Sequence, residues 1–233
     1  MFAFRNDPGA DGAGIAFCDA VGPAGPLDLA DRAGRDAPDW RLVEDALGVR
    51  VLHPRQVHGA AVLVVDAGTD AASCATTEAD ALVTTSRGLG VAVRVADCLP
   101  VLLADPEAGV VAAAHAGRVG LAAGVLPATL AAMASLGAGR VTAWIGPHIC
   151  GRCYEVPAAM RAELAAGLPG AWSTTGWGTP ALDLGEAAAR QLSDAGCRVV
   201  RADPCTRETA TLHSYRRDGA AAGRQAGIVW LPA

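Results

Sequence analysis

At 233 residues the chain can bury the core of one large domain or two small ones. It contains no lysine, and its nineteen basic residues are all arginine, which excludes a lysine Schiff base, a lysine general base and a P-loop lysine. A net charge of −5 without an extended arginine stripe argues against nucleic-acid binding, and no apolar stretch is long and unbroken enough to span a membrane. The opening MFAFRNDPG lacks a basic region followed by an apolar one, so a cytoplasmic location is expected. Seven dispersed cysteines, an odd number, point to single reactive or metal-bound thiols rather than a disulfide framework.

Residues 1–37 are rich in Gly, Pro and Asp; they predict one or two edge strands with partly mobile loops. Residues 39–47 predict a short helix with an acidic start and a stop at Gly48. Strand-like runs follow at 49–52 and 61–65, with RQVHGA between them, and 66–78 reads as a loop. Four more apolar runs, at 81–84, 90–95, 101–104 and 110–114, read as buried strands, with a turn at 105–109. Residues 121–136 predict a helix that Pro127 starts or breaks. A strand at 140–145, helices at 157–166 and 184–195, and strands at 198–201 and 226–231 complete the pattern. Strands cluster early and helices come later, so the expected fold is a single α+β domain with a mixed sheet. No GxGxxG follows a strand, which lowers a dinucleotide-binding reading.

Three residues carry the chemistry. His58 in RQVHG, Cys98 in ADCLP and His115 in AAAHAG each lie at the end of a predicted strand. Taken singly, each reads more simply as a core or surface residue. Jointly they spell the donor set of a catalytic zinc site, with two imidazoles, one thiolate and an open fourth position. The same residues suit a metal-free mechanism in which Cys98 is the nucleophile and His115 or His58 the base. Asp97 is the natural proton-handling neighbour of Cys98. Adjacent strand residues face opposite ways, so both reach one site only if the chain turns near Pro100.

Two further motifs stand out. Cys150-Gly-Arg-Cys153, with His148 just before it, has zinc or redox spacing but no matching second pair, so a structural or incidental role is the simpler reading. Ser214-Tyr215-Arg216-Arg217-Asp218-Gly219, with Gly223-Arg224, reads equally as an anion-binding arginine cluster or a solvated turn. His53 and His213 stay unassigned.

RQVHG, EADALVT, ADCLPVLL, AHAGRVGL, IGPHICGRCYEV and SYRRDG with the later GR occur in that order, in a resemblance that covers roughly residues 49–231. Together they resemble the YfiH-like family, also called laccase-domain proteins, purine nucleoside phosphorylase of that type, or peptidoglycan editing factor. The resemblance implies a layered α/β/β/α fold and a cytosolic enzyme with zinc held by His58, Cys98 and His115. The implied partners are purine nucleosides and phosphate; the sequence does not choose between a monomer and a homodimer. The implied reactions are phosphorolysis of adenosine, inosine, guanosine and methylthioadenosine, and hydrolytic deamination of adenosine. Gln56, Asp97, Arg118, Tyr215 and Arg217 are the candidate substrate contacts.

This chain departs from the family pattern where HAGWRG becomes HAGRVG, placing Arg118 and Val119 at the Trp and Arg positions. It also has Arg152-Cys153-Tyr154-Glu155 where Cys-Cys-Tyr-Glu is usual, and its C-terminal Gly–Arg spacing is about one residue longer. Two alternatives accompany the leading reading: a Cys98-dependent hydrolase that edits peptidoglycan precursors, and a purine-binding protein whose active site has decayed. Five histidines are too few for a multicopper cluster, so copper chemistry is limited to a single ion in the same His–Cys–His site.

Overall fold

The computed structural model describes residues 1–8, 12–30 and 38–233. In chain order the first elements are β1 (Phe2–Asn6), β2 (Gly14–Cys18), β3 (Val21–Gly22), β4 (Gly25–Pro26), α1 (Pro38–Leu47), β5 (Arg50–Leu52), β6 (Val62–Val64) and α2 (Ala71–Thr76). Then come β7 (Ala81–Thr84), β8 (Leu89–Val95), β9 (Leu99–Asp105), β10 (Val110–Ala116), α3 (Arg118–Ala122), α4 (Val125–Ser135) and β11 (Thr142–Ile145). The chain continues through α5 (Ala158–Gly167), β12 (Trp172–Thr174), β13 (Pro180–Leu182), α6 (Leu184–Asp194), β14 (Arg198–Arg201), α7 (Tyr215–Asp218) and β15 (Gln225–Trp230).

Two main sheets carry the fold, in the orders β1-β2-β15-β8-β5 and β14-β11-β9-β10-β7-β6. Both are mixed: β5 runs parallel to β8, β6 to β7 and β11 to β14, while the remaining neighbours are antiparallel. Period-two alternation along the strands sorts their buried apolar side chains into three main layers. Phe17, Val91, Val93 and Val229 of the first sheet meet Leu82, Leu102, Ala104, Val111 and Ala113 of the second. The opposite face of the second sheet, with Val83, Val101, Leu103 and Ala112, packs on Val125 and Met133 of α4 and on Ala188 and Leu192 of α6. The outer face of the first sheet packs on Trp40, Val43 and Leu47 of α1. The layers are therefore α/β/β/α, and the expected α+β class with mixed sheets is the observed one. The central strands β9 and β10 are buried on both faces, which explains why their sequences are almost continuously apolar.

Three details differ from the sequence reading. Residues 71–76 form a short helix inside the expected loop, because the Asp70 carboxylate accepts the Ser73 N–H and caps it. The expected helix over 121–136 is two helices, divided at Gly124, whose φ of 87° only glycine adopts at little cost. Pro127 lies in the first turn of the second helix, where no N–H is missed. The strand at 14–18 is no edge; it lies between β1 and β15. The expected mobility within residues 1–37 concerns in part positions 9–11 and 31–37, which lie outside the described residues. No helix among the described residues is long and apolar enough to cross a membrane.

Candidate metal and substrate site

The site forms where β7 begins and β10 ends in the second sheet, and where the chain crosses from β8 to β9 between sheets. On β10, Val111 and Ala113 face the layer between the sheets, so His115 shares their side. On β9, Leu102 and Ala104 face that layer, so Pro100 and Cys98 share it. His115 pairs with Pro100, which sets Cys98 two residues further along the neighbouring strand and on the same face. On the other flank the register Ala114–Ala81 continues to Asp80, and the His115 N–H donates to the Asp80 carbonyl at 2.7 Å.

His58 comes from the loop between β5 and β6, and Asp80 places it. The Asp80 carboxylate accepts the backbone N–H groups of His58 at 2.9 Å, Gly59 at 2.6 Å and Val57 at 3.3 Å. It also accepts Nδ1–H of His115 at 2.8 Å, which leaves Nε2 of that ring as the free donor atom toward the cluster. Burial pushes the Asp80 carboxyl upward, but His115 and the Gly59 and Val57 amides outweigh it and hold it below the ordinary carboxylate range.

His58 and Asp97 are the two non-glycine residues in the left-handed region among those described, with φ of 61° and 86°. Both flank the same cluster, as strained backbone at functional sites tends to do. His58 Nε2 lies 3.8 Å from Cys98 Sγ, the two imidazoles meet edge-on with centroids 4.7 Å apart, and the three ligand atoms lie within 4.8 Å of one another. Burial raises the Cys98 thiol pKa, yet His115 and His58 together draw it down to about 6. Burial depresses His115, while Asp80 and Cys98 lift it to about 9. Gly117 seals the back: a Cβ there would sit 2.9 Å from His58 Cδ2 and 3.2 Å from Cys98 Sγ.

The cluster opens into a cleft of about 900 Å³. Gln56, Asp97 and Tyr215 line it as expected of contacts, but two of them spend their polar atoms on the protein. The Gln56 side-chain amide donates to the Arg94 carbonyl and accepts its N–H, both at 2.8 Å, extending the edge of β8. Asp97 accepts Thr206 Oγ1–H and the Arg216 N–H, each at 2.6 Å, and its carbonyl accepts the Ile149 N–H at 3.0 Å.

Arg118 and Arg217 do not line the cleft. The Arg118 guanidinium instead stands against Tyr154, whose phenol burial pushes upward and this charge partly restores. Val119 is 50% exposed. Arg217 is bound to Asp218 and to the carbonyls of Thr206, Thr209 and Leu212. The arginines facing the cleft are Arg55, Arg94, Arg216 and Arg224, with Arg216 stacked 5.1 Å over the Tyr154 ring. Sequence reading singled out neither Asp80 nor Arg55 and Arg94, whereas Arg216 and Arg224 belong to the arginine cluster it offered as an anion site. The signals available for Asp80 were its place in EADALVT and its position directly before a buried strand.

The fold and this cluster define a two-sheet α+β protein with a candidate soft-metal group at the floor of a polar cleft. Residues 27–232 match the family described as multi-copper polyphenol oxidoreductase laccase, and the chain belongs to that family. A Streptomyces coelicolor protein named purine nucleoside phosphorylase is 50% identical over 95% of this chain and 96% of its own length. A Corynebacterium glutamicum protein of the same name is 43% identical over 90% and 89%. Among solved structures, Neisseria meningitidis NMB0706 superposes with a TM-score of 0.82 at 31% identity, covering 100% of this chain and 99% of that one. YlmD from Geobacillus stearothermophilus gives 0.79 at 30% identity, covering 95% and 92%.

Proposed function

We propose that this chain is a purine nucleoside phosphorylase that also deaminates adenosine, with zinc bound by His58, Cys98 and His115. The observation that carries the reading is the joining, in one cleft, of the His–Cys–His group to four arginine side chains. The donor set fits the metal: zinc bond lengths of about 2.0–2.3 Å require N···S spacings close to the 3.8 Å found between His58 and Cys98. Asp80 supplies the hydrogen bond that orients a metal-binding imidazole. The same two-His, one-Cys set also accommodates a single copper ion.

When bound, zinc supplies Lewis acidity and acidifies a water molecule in the cleft. The protein's own part is orientation and charge. Arg55, Arg94, Arg216 and Arg224 surround the space with cationic donors suited to phosphate, while Tyr154 and Tyr215 offer rings for a flat purine. The cleft volume suits a nucleoside with phosphate beside it. Names of relatives at 43–50% identity support the phosphorylase half of this reading.

Incubating zinc-loaded protein with adenosine, with and without phosphate, separates the products. Phosphate-dependent adenine reports phosphorolysis, and phosphate-independent inosine reports deamination. Metal-replete, folded protein that binds adenosine and yields neither would instead match the purine-binding reading.

A second reading has one observation in its favour. With its pKa drawn to about 6 beside a His115 raised to about 9, Cys98 is a thiolate–imidazolium pair in the metal-free chain. That is the state of a nucleophilic cysteine, as hydrolysis of a peptidoglycan precursor would need. Turnover that survives chelation but not alkylation of Cys98 would select it.

A further inference from the structure

We infer that Cys150, Cys153, Cys205 and Glu208 form a second cation site, separate from the cleft and built to hold a thiophilic divalent ion such as zinc for structural purposes. Their four ligand atoms lie within 4.8 Å of one another. A zinc–sulfur bond of about 2.3 Å places tetrahedral sulfurs about 3.8 Å apart, so only a small closure is needed.

The backbone constructs this grouping from two segments. After β11 the chain folds tightly, with the N–H groups of Cys153 and Tyr154 both donating to the Cys150 carbonyl, at 2.9 and 3.0 Å. That turn sets two thiols side by side. The third arrives with the segment between β14 and α7. There His148 and Cys205 form an isolated parallel bridge, the Thr206 N–H donates to the His148 carbonyl at 3.0 Å, and the Cys150 N–H points at Cys205 Sγ at 3.4 Å. A second turn, with the Glu208 and Thr209 N–H groups on the Cys205 carbonyl, brings the carboxylate round.

His148, the neighbour that the sequence suggests, takes no part. Its Nδ1 is bonded to the Gly146 carbonyl at 2.9 Å and its ring abuts Gly185 on α6.

The donor set decides the occupant. Three thiolates select zinc or copper(I) over magnesium or calcium, and four protein ligands leave no open position for a substrate. Glu208 has a competing contact with Arg152, but that pair is 3.8 Å apart with both side chains about half exposed or more, so the carboxylate is easily recruited.

The location also calls for a cross-link. Cys153 and Cys205 share a small apolar cluster with Ile149, apart from the three main layers. An ion here would rivet the 149–154 turn to the 205–208 turn. Both bear on the cleft: Ile149 and Tyr154 line it, and Ile149 and Thr206 each bond to Asp97, next to Cys98.

The test uses the full chain purified under reducing conditions with zinc and counts metal by elemental analysis. Wild type should hold two zinc ions per chain, Cys98→Ser one, and Cys153→Ser or Cys205→Ser one. Cobalt substituted into Cys98→Ser should show strong thiolate-to-metal charge-transfer absorption, which the remaining cleft histidines alone cannot give. Glu208→Gln, at an exposed position, should weaken zinc at this site about tenfold or more in chelator competition. A folded Cys98→Ser protein without metal overturns the inference, as does a disulfide among Cys150, Cys153 and Cys205 that persists in the zinc-loaded chain. Loss of the cleft ion alone, with the second retained, would count against the proposed catalytic metal and leave this site standing.

Discussion

Asp80 and His58 are joined through backbone rather than side chain: one carboxylate gathers three successive amides of the 57–59 turn and, with the same two oxygens, the ring of His115. One buried residue thus fixes two of the three proposed ligands. Asp80→Asn keeps the shape but exchanges one acceptor for a donor facing N–H groups. Metal affinity measured by chelator competition should fall by roughly 10–100-fold, the usual cost of losing such an orienting partner. Unchanged affinity would show that His58 and His115 hold their positions without it.

Gly117→Ala tests the packing behind the cluster. The added methyl would press on His58 and Cys98 at 2.9 and 3.2 Å, so metal content and activity should drop while the fold persists. Gly139→Ala, whose Cβ meets nothing within 4 Å, is the matched control and should leave both unchanged.

The thiol of Cys98 should titrate early in metal-free protein. Alkylation by iodoacetamide, followed by mass spectrometry, should be near its plateau at pH 7 and fall as pH drops through about 6, because His115 and His58 hold the thiolate. Cys153, pushed up to about 12 by burial and its neighbouring thiols, should stay inert over that range. An ordinary midpoint near 8.5 for Cys98 would contradict the imidazole contacts.

Asp105 links stability to pH. It lies buried at the end of β9, and its carboxylate accepts the N–H groups of Gly139, Arg140 and Ala108 at 2.7, 2.7 and 3.1 Å. Burial raises its pKa, but these bonds prevail and hold it below the ordinary value. A depressed carboxylate stabilises the fold above its unfolded pKa of about 3.9, and that stabilisation disappears as pH falls through the lower folded value. Asp105→Ala should therefore cost about 1–3 kcal/mol at pH 7 by urea unfolding, with the gap to wild type narrowing below about pH 4. A gap that is constant with pH would reject the charge as its cause.

The adjacent arginines of α7 should divide by role. Arg216→Ala should raise the KM for phosphate about tenfold or more with little change in thermal stability, as loss of a charge-assisted contact does. Arg217→Ala should lower the Tm first, because its guanidinium ties three carbonyls and Asp218 together. The reverse pattern would mean that the two side chains exchange places when substrate binds.

Cys98 and His115 were legible because each follows a Val- or Ala-rich run, and strand alternation then aims both into one layer. His58, expected at a strand end, stands in the loop between β5 and β6 and was legible only through RQVHG. The buried strands were legible from the same apolar runs. Asp80 was not, since its value lies in contacts with a turn 21–23 residues earlier and a ring 35 residues later. Nor could the sequence tell Arg216 from Arg217. That distinction depends on a four-residue helix that Ser214 caps and Asp97 anchors through the Arg216 N–H. The helix at 71–76 hid in a small, polar composition whose only marker was Asp70. The fourth cysteine-cluster ligand and Cys205 were invisible because a C-x-x-C pair reads as unmatched until a lone distant thiol is placed beside it.

The central position of β15 has a consequence for biosynthesis. The strand at 225–230 sits between β2 and β8, so the first sheet stays split in two until those residues leave the ribosome. The second sheet is complete once β14 has emerged, and it can offer its apolar middle face to solvent meanwhile. The segment that carries Asp97 and Cys98 leads out of β8, whose register is set by β15. Nascent chains stalled before residue 225 should therefore remain protease-sensitive across β2 and β8 and bind chaperones, while release of the last strand closes the sandwich and the ligand cluster together.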